Sequence, residues 1–529
     1  MYKETVKQLQ IEDFVLPFGG KLRKDNRWVI YASLIPWEYV DEIYSAALSP
    51  DNLGAQAYSS RIAFCALFIR DTLNITDEET VAQIRENNYL QFLLGYLQYR
   101  DAQPFDPSLM VTFRKRFGPE GLRKINERIA VAQIKQLRGE SDKPPVVPGA
   151  EAPAAAEPVD SAPLPNKGAL IADASCGPAD IRFPTDVSLL NEARENAERL
   201  IDQLCTMTGS EKPRMYRNNA RKDFLSFIKN KKPRPNKVHR AIKCQLQYIK
   251  RDLGYIDDLL LLPCTGIQPT IIGTTKPAIE CLEKKWEKRL ETLRKVYAQQ
   301  LQRIETGSTP GRDRIVSFSQ PHVRAIVRGK TGVPVEFGNK FSLMVIDGFC
   351  LPCELSWNAY NEGTVLKDHI EYYHQLFGYY PESVHVDKIY GTQGNRRYCD
   401  ARGIRLTGKP LGRPKKETET NRKVLREKAK QRRRDEVTRI QVEGKFGNSK
   451  RAGELGCIRT KLEDTSEATI YLVFLIMNLR KLLRQQLLFL FIVVQGALRS
   501  CRRFVDSLRS RIMTSGVGTH CKVGIIAVG

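Results

Sequence analysis

Three things are scarce in this chain of 529 residues: acidic side chains relative to basic ones, cysteines at regular spacing, and long apolar runs free of charge. Each scarcity excludes something. Behind Met1 no apolar run follows a basic end, so no secretory signal is expected and the protein reads as cytoplasmic. The most apolar stretch, Ile470 to Gln495, is interrupted by Arg480, Lys481 and Arg484. Charge in the middle of a span is costly in hydrocarbon, so this stretch is expected to be a buried helix and membrane contact is not expected. Twelve cysteines without a repeating interval argue against a disulfide framework and for reduced thiols. The one CxxC, Cys350 to Cys353, has no second ligand pair at a suitable distance, which argues against a zinc site.

What is abundant is positive charge. Against 60 acidic residues stand 84 Lys and Arg, a formal charge of +24 that favours a polyanionic partner through counterion release, nucleic acid before an acidic membrane surface. An apolar content of 42% with 9% aromatics suffices for ordinary cores in two to four domains.

Composition shifts divide the chain. Residues 1–140 carry apolar residues at helical spacing, densest from Glu38 to Ile129, and read as an all-α domain. Within it Ser108 is placed to start a helix whose exposed side would carry Arg114, Lys115 and Arg116. Residues 141–168 hold seven prolines and six alanines, a composition that cannot bury a core and reads as a linker. Ala169 to Asp173 is a short apolar run ending on a carboxylate, as a buried strand with an acid at its edge would be. Helical periodicity then fills about 189–310, broken at Lys231 to Asn236 and at Pro263 to Pro277. Its segment 212–251 has fourteen Lys and Arg against one Asp, with Tyr216, Phe224, Phe227 and Tyr248 interleaved, a pattern suited to DNA backbone contact through residues such as Arg221, Lys222, Lys231 and Lys232. Strands are expected at Arg314 to Phe318, Val333 to Phe337, Phe341 to Asp347, Ser383 to Asp387 and Ile404 to Leu406, with a helix from Thr364 to Phe377. Strands alternating with helices indicate an α/β core. Lys409 to Arg434 has twelve basic residues and three acidic ones and reads as an exposed basic loop entering a helix, and 485–529 is a tail to which no role is assigned.

Cutting and joining phosphodiesters requires stabilising an attacking and a leaving oxygen in line, which a pair of metals about 3.5–4 Å apart can do. Few carboxylates suffice to hold such ions. Two strand-end aspartates and a helical glutamate would meet that need, although acids at strand ends are common in any α/β protein.

The wording around three acids narrows this. Ile171-Ala-Asp173-Ala-Ser-Cys-Gly-Pro-Ala-Asp180, His385-Val-Asp387-Lys-Ile-Tyr390-Gly, and Arg439-Ile-Gln-Val-Glu443 ending at Lys450 resemble, in order, the three catalytic motifs of bacterial insertion-sequence DDE transposases. Phe105 to Ser108, Phe113 to Arg116 and Leu455 to Leu479 extend the likeness to the family's helical N-terminal domain and its closing helices. The resemblance implies an RNase H-like α/β catalytic core over 169–484 with a large helical insertion, preceded by an all-α domain. It implies catalytic and metal-binding roles for Asp173, Asp387 and Glu443, phosphate contacts by Arg439 and Lys450, and two Mg²⁺ or Mn²⁺ ions. It further implies binding of double-stranded DNA at terminal inverted repeats and at a target, by a homodimer associated with the nucleoid. Where the family's third motif begins with Tyr, this chain has Glu436. A decayed DNA-binding protein, or a metal nuclease without strand transfer, would use the same residues.

Individual residues also have plainer readings. Asp347, before Gly348, is expected to be a strand-end turn acid, Asp186 a helix cap, and His385 a half-buried histidine with its hydrogen bonds satisfied.

Overall fold

A computed structural model describes residues 10–16, 20–48, 56–140, 165–264, 277–307, 313–327, 334–408, 412 and 418–514. The expected linker lies outside these up to residue 164, and the end of the tail lies outside them from 515.

The N-terminal part is helical: α1 (Arg27–Leu34), α2 (Trp37–Ala46), α3 (Ser60–Leu73), α4 (Asp77–Glu86), α5 (Asn88–Leu94) and α6 (Leu109–Leu137). Caps set several starts, Asn26, Ser59 and Thr76 each accepting from a backbone N–H of the first turn. At the start of α6 the Ser108 hydroxyl makes no cap; Asp106 accepts from both its N–H and its Oγ instead. Gly118, at φ +58°, and Pro119 kink α6 in two. The expected exposed basic side of this helix holds for Lys115 and fails for Arg114. Arg114 is buried and bidentate to Asp77 at 2.6 and 3.0 Å, because α4 packs where solvent was expected.

The sheet begins with β1 (Ala169–Pro178). Before the next strand come α7 (Asp186–Thr208), α8 (Arg217–Ile228), α9 (Pro235–Leu260), α10 (Ala278–Cys281) and α11 (Lys284–Thr306), which enclose an apolar core of their own around Leu200, Leu204, Ile249, Ile256 and Val296. Thr185, not Asp186, caps α7; Asp186 is the first-turn acid and accepts from Gln300, Arg303 and Arg314. Arg314 to Phe318 forms no strand: Ile315 and Phe318 are drawn into that helical core, leaving no sheet edge to join.

β2 (Arg324–Val327), β3 (Val335–Ile346) and β4 (Phe349–Ser356) follow, then α12 (Leu366–Phe377), β5 (Ser383–His385), α13 (Gln393–Asp400), β6 (Arg405–Leu406), α14 (Arg422–Ala452) and α15 (Glu463–Thr514). The two strands expected around Phe337 and Phe341 are one continuous β3. β3 pairs antiparallel with β1 along one edge; on the other edge β2 takes its first residues and β4 its remainder. β5 joins β1 in parallel and β6 joins β5 in parallel, giving a mixed sheet. Asp347 and Gly348, both at positive φ, form the β3–β4 turn as expected, and Asp347 accepts from Arg138 at 2.8 Å.

Alternation along β1 assigns its faces. Leu170 and Ala172 join a core continuous with α3, α6, α12 and the first part of α15, whereas Ile171 faces Leu343, Val345, Val442, Phe446 and Phe474. α15 is buried as expected up to Leu482, but from Arg484 to Asp506 its described side chains are exposed, Leu488, Phe489, Phe491 and Ile492 among them. The expectation of a buried helix to Gln495 is therefore wrong in its second half, where α15 outruns the layers it packs against. Glu463–Asp506 is long and apolar enough to cross a membrane by length and composition.

Candidate active site

Asp173 is the fifth of ten residues of β1, so the strand does not end on it as the apolar run suggested. What ends near it is the neighbour. β5 pairs Ile171 with His385 and then stops, and two residues further along both chains stand Asp173 and Asp387. With neighbouring strands about 4.8 Å apart, this equal spacing from a register pair leaves Asp387 within electrostatic reach of Asp173. Beyond that level β5 no longer pairs with β1, and α14 covers the face.

α14 is mostly polar, and few groups fix it there. Val442 and Phe446 are buried against Ile171 and Phe341, at about 1.5–3 kcal/mol each. Two and three turns before them, buried Asp435 accepts from Arg405 of β6 at 2.7 Å and stands 3.8 Å from His385 Nδ1. His385 is more buried than expected, and its Nε2 meets Ser383 Oγ at 3.0 Å. Burial holds its pKa below the usual histidine value, so the imidazole is neutral at pH 7.

This seating turns Arg439 and Glu443 toward the strand ends. Arg439 Nη1 lies 3.9 Å from Asp173 Oδ2 and its Nη2 lies 3.0 Å from Glu443 Oε1, so one guanidinium links the first and third acids. Burial pushes the Asp173 carboxyl up to about 6; the N–H of Ala174, at 2.9 Å, and Arg439 oppose that shift, while Glu362 and Asp387 add to it. Asp173 is half-buried, whereas Asp387 and Glu443 are exposed.

Sequence reasoning missed Glu362. It follows β4, lies within electrostatic reach of Asp173, and is held by Lys340 at 2.8 Å. Tyr390, between Asp387 and α13, is fully buried, and its hydroxyl has no hydrogen-bond partner among the described residues. Burial first, and then Glu362 and Asp173, push that phenol's pKa upward. Neither residue stands in a pattern that periodicity or spacing would single out.

The other expected contacts are distributed differently. Lys450 is half-buried two turns beyond Glu443 on α14, and Glu436 is exposed two turns before it. Arg221 and Lys222 on α8, and Lys231 and Lys232 in the α8–α9 connection, are exposed on the helical insertion, whose core is separate from the one under the acids. Among the described residues no group of three or more His, Cys, Asp or Glu is gathered closely enough to hold a metal, since Arg439 stands between Asp173 and Glu443. The available donors are nonetheless all carboxylate oxygens, the set that suits a hard divalent cation, and the crowded acids around Asp173 and the unpartnered Tyr390 hydroxyl fit an added positive charge.

Known proteins decide the family. Residues 384–480 match the transposase DDE domain, and residues 17–116 match the transposase domain DUF772. Both matches support an insertion-sequence DDE transposase. The first match contains Asp387, Arg439, Glu443 and Lys450; Asp173 and the helical insertion of this transposase lie outside both. An uncharacterized protein, ORF8 in the nfe locus of Rhizobium meliloti, is 33% identical over 94 residues, which are 18% of this chain and 44% of that protein. The transposase thus spans less than half of that relative. No solved structure matches it.

Proposed function

We propose that this transposase binds the terminal inverted repeats of its insertion sequence, cuts there, and joins the freed 3′ hydroxyl to target DNA, with Asp173, Asp387 and Glu443 as the catalytic acids. The observation that carries the reading is that Asp173 and Asp387 each stand two residues beyond the register pair Ile171–His385, within electrostatic reach of each other, with Glu443 tied to Asp173 through Arg439. The strand order, three antiparallel strands followed by two parallel ones, supports an RNase H-like core over 169–484 interrupted by the helical insertion, with residues 1–140 as a helical domain.

In cleavage, water adds to the phosphorus, the bond to the 3′ oxygen breaks, and that oxygen takes a proton; in joining, the freed 3′ hydroxyl attacks a target phosphorus and loses its proton while the target's own P–O3′ bond breaks and that leaving 3′ oxygen takes a proton. Two Mg²⁺ or Mn²⁺ ions bound by the three acids would stabilise the attacking and leaving oxygens. The chain's own part is to orient and to balance charge. β1 and β5 fix the aspartates, Asp435 and His385 seat α14, and Arg439 holds Asp173 and Glu443 together until a phosphate competes for its guanidinium. Lys450 supplies a second cation on the same side of α14. Arg221, Lys222, Lys231 and Lys232 hold the DNA backbone without reading sequence. We further propose a homodimer on the DNA and a cytoplasmic, nucleoid-associated protein.

The test is a donor-cleavage assay on DNA carrying the element's ends, run beside a binding assay. Cleavage is expected to need Mg²⁺ or Mn²⁺ while binding does not. Undiminished cutting in excess chelator would refute the metal-dependent reading, and cutting without joining would replace the transposase by a nuclease.

A further inference from the structure

A groove of about 590 Å³ runs between α14 and α15, on the face of α14 next to the one that carries Glu443. Gln441, Gly444 and Lys445 line it from α14, and Arg480, Lys481 and Arg484 from α15. Lys445 Nζ donates to the Gly348 carbonyl at 2.7 Å and Lys481 Nζ donates to the adjacent Asp347 carbonyl, so two ammonium groups meet at one turn. Arg480 donates to the Thr72 carbonyl at 2.9 Å, and Arg484 is exposed at the groove's outer end.

Among the described residues no carboxylate forms a salt bridge with any of these four cations. The Asp347 carboxylate goes to Arg138, and Asp71, which also lines the groove, is buried and bound to Arg70 at 2.6 Å. Burial, and then Lys445, push the Lys481 ammonium down to about 8, and the nearby Asp347 carboxylate opposes that shift without reversing it. Gly444 is a mid-helix glycine with no protein atom within 4 Å of where a Cβ would stand. The protein's own packing does not call for glycine there; a ligand lying in the groove would.

We propose that the α14–α15 groove is a phosphodiester-binding channel that takes up a DNA strand beside the acid site. The assignment rests on the function proposed above and adds a binding surface to it. The ligand chemistry is the sugar-phosphate backbone, which transposon ends and target DNA share. Carbonyl-anchored lysines present charge without base-specific geometry, so the groove positions DNA and does not read its sequence.

The experiment compares the unsubstituted chain with Lys445→Gln/Arg484→Gln and with Gly444→Ala. Each is bound, without divalent cation, to a short duplex carrying the element's end and to an unrelated duplex of the same length across a salt series. Loss of two phosphate contacts is expected to flatten the slope of log K against log salt by about 2 for the double variant. Gly444→Ala is expected to raise Tm, since alanine favours helix, and yet to weaken binding, a combination that misfolding does not produce. Loss on the end duplex alone assigns the strand to the transposon, loss on the unrelated duplex alone to the target, and loss on both to a shared path. Unchanged slopes for both duplexes would overturn the channel, as would intact DNA binding with an altered sedimentation coefficient, which would assign the groove to a protein partner. Absence of DNA binding by the unsubstituted chain would bring down the proposed function as well, which separates the two failures.

Discussion

The helical insertion and the sheet edge beside α14 use charge in opposite ways. On α8, α9 and their connection the cations of Arg221, Lys222, Lys231 and Lys232 stand in solvent. Aromatics there serve as platforms for other cations, Tyr216 lying beneath Arg214 and Arg251 at 4.7 and 4.6 Å. At the sheet edge, charges are fewer and committed to one another, in pairs with at least one part-buried or buried member: Arg439 to two acids, Lys340 to Glu362, Arg405 to Asp435. Exposed charge acts through number and is screened by salt, whereas buried charge acts through position. If the proposed roles hold, the difference means that most nonspecific affinity and the chemistry can be removed one at a time.

Glu443→Gln gives the largest separation. Cleavage is expected to fall at least ~10³-fold while DNA binding stays within about twofold, because the change removes a charge proposed to act at the reacting phosphate and leaves the exposed cations in place. Glu436→Gln, on an exposed side chain of the same helix, is expected to retain most activity. The opposite order in a donor-cleavage assay would reassign the third acid.

The converse separation comes from the insertion. Replacing Arg221, Lys222, Lys231 and Lys232 with Ala is expected to weaken binding to all duplexes by one to two orders of magnitude near physiological salt and to reduce the salt slope by roughly 3–4. An unchanged slope would move the nonspecific footprint off the insertion.

Asp173 sharpens the comparison through pH. Its folded pKa, about 6, lies above the ordinary aspartate value, so its protonated form is the one the fold favours. Stability from this group is full below the unfolded pKa and is lost as pH rises through about 6. Asp173→Asn removes that loss and is expected to stabilise the protein by roughly 2 kcal/mol at pH 7.5 while abolishing cleavage. Mg²⁺ is expected to raise the Tm of the unsubstituted chain, and to do so less below pH 6, and to leave the variant's Tm unmoved. A variant less stable than its parent at pH 7.5 would show that Asp173 is not strained by its neighbours.

The smallest effect is expected at the hinge between chemistry and scaffold. Arg405 is partly exposed, so Arg405→Gln should cost only about 1 kcal/mol, yet it leaves Asp435 buried beside neutral His385 and loosens α14. A fall in cleavage larger than the fall in stability would identify Asp435 as a positioning residue. Equal falls would make it purely structural.

How much of this was legible in sequence follows the same division. The motif wording around Asp387 and Glu443 and the lopsided composition of 212–251 are each properties of one local segment, and so are visible in the sequence. Residues whose surroundings arrive from elsewhere could not. Arg114 was expected in solvent because its own helix gives no sign that Asp77 will meet it. Glu362 and Tyr390 acquire meaning only when the ends of β4, β1 and β5 converge. Arg314 to Phe318 has strand-like alternation, but strand formation needs an edge, and none is offered there. The second half of α15 misled because apolar composition is evidence of burial only where another layer is present to cover it.

The continuous core has a consequence for the order in which the protein is made. Residues of α3 and α6 share that core with Leu472, Leu475 and Leu479 of α15, synthesised more than three hundred residues later. Arg70 of α3 is likewise bound to Asp71 and, at 2.5 Å, to buried Glu454. An N-terminal segment emerging from the ribosome therefore waits through more than three hundred residues of synthesis with part of its apolar face uncovered and a buried-to-be arginine short of one partner. A nascent chain halted before α15 would be a target for chaperones and proteases, and the helix bundle would reach its final stability only when the C-terminal helix is released to close it.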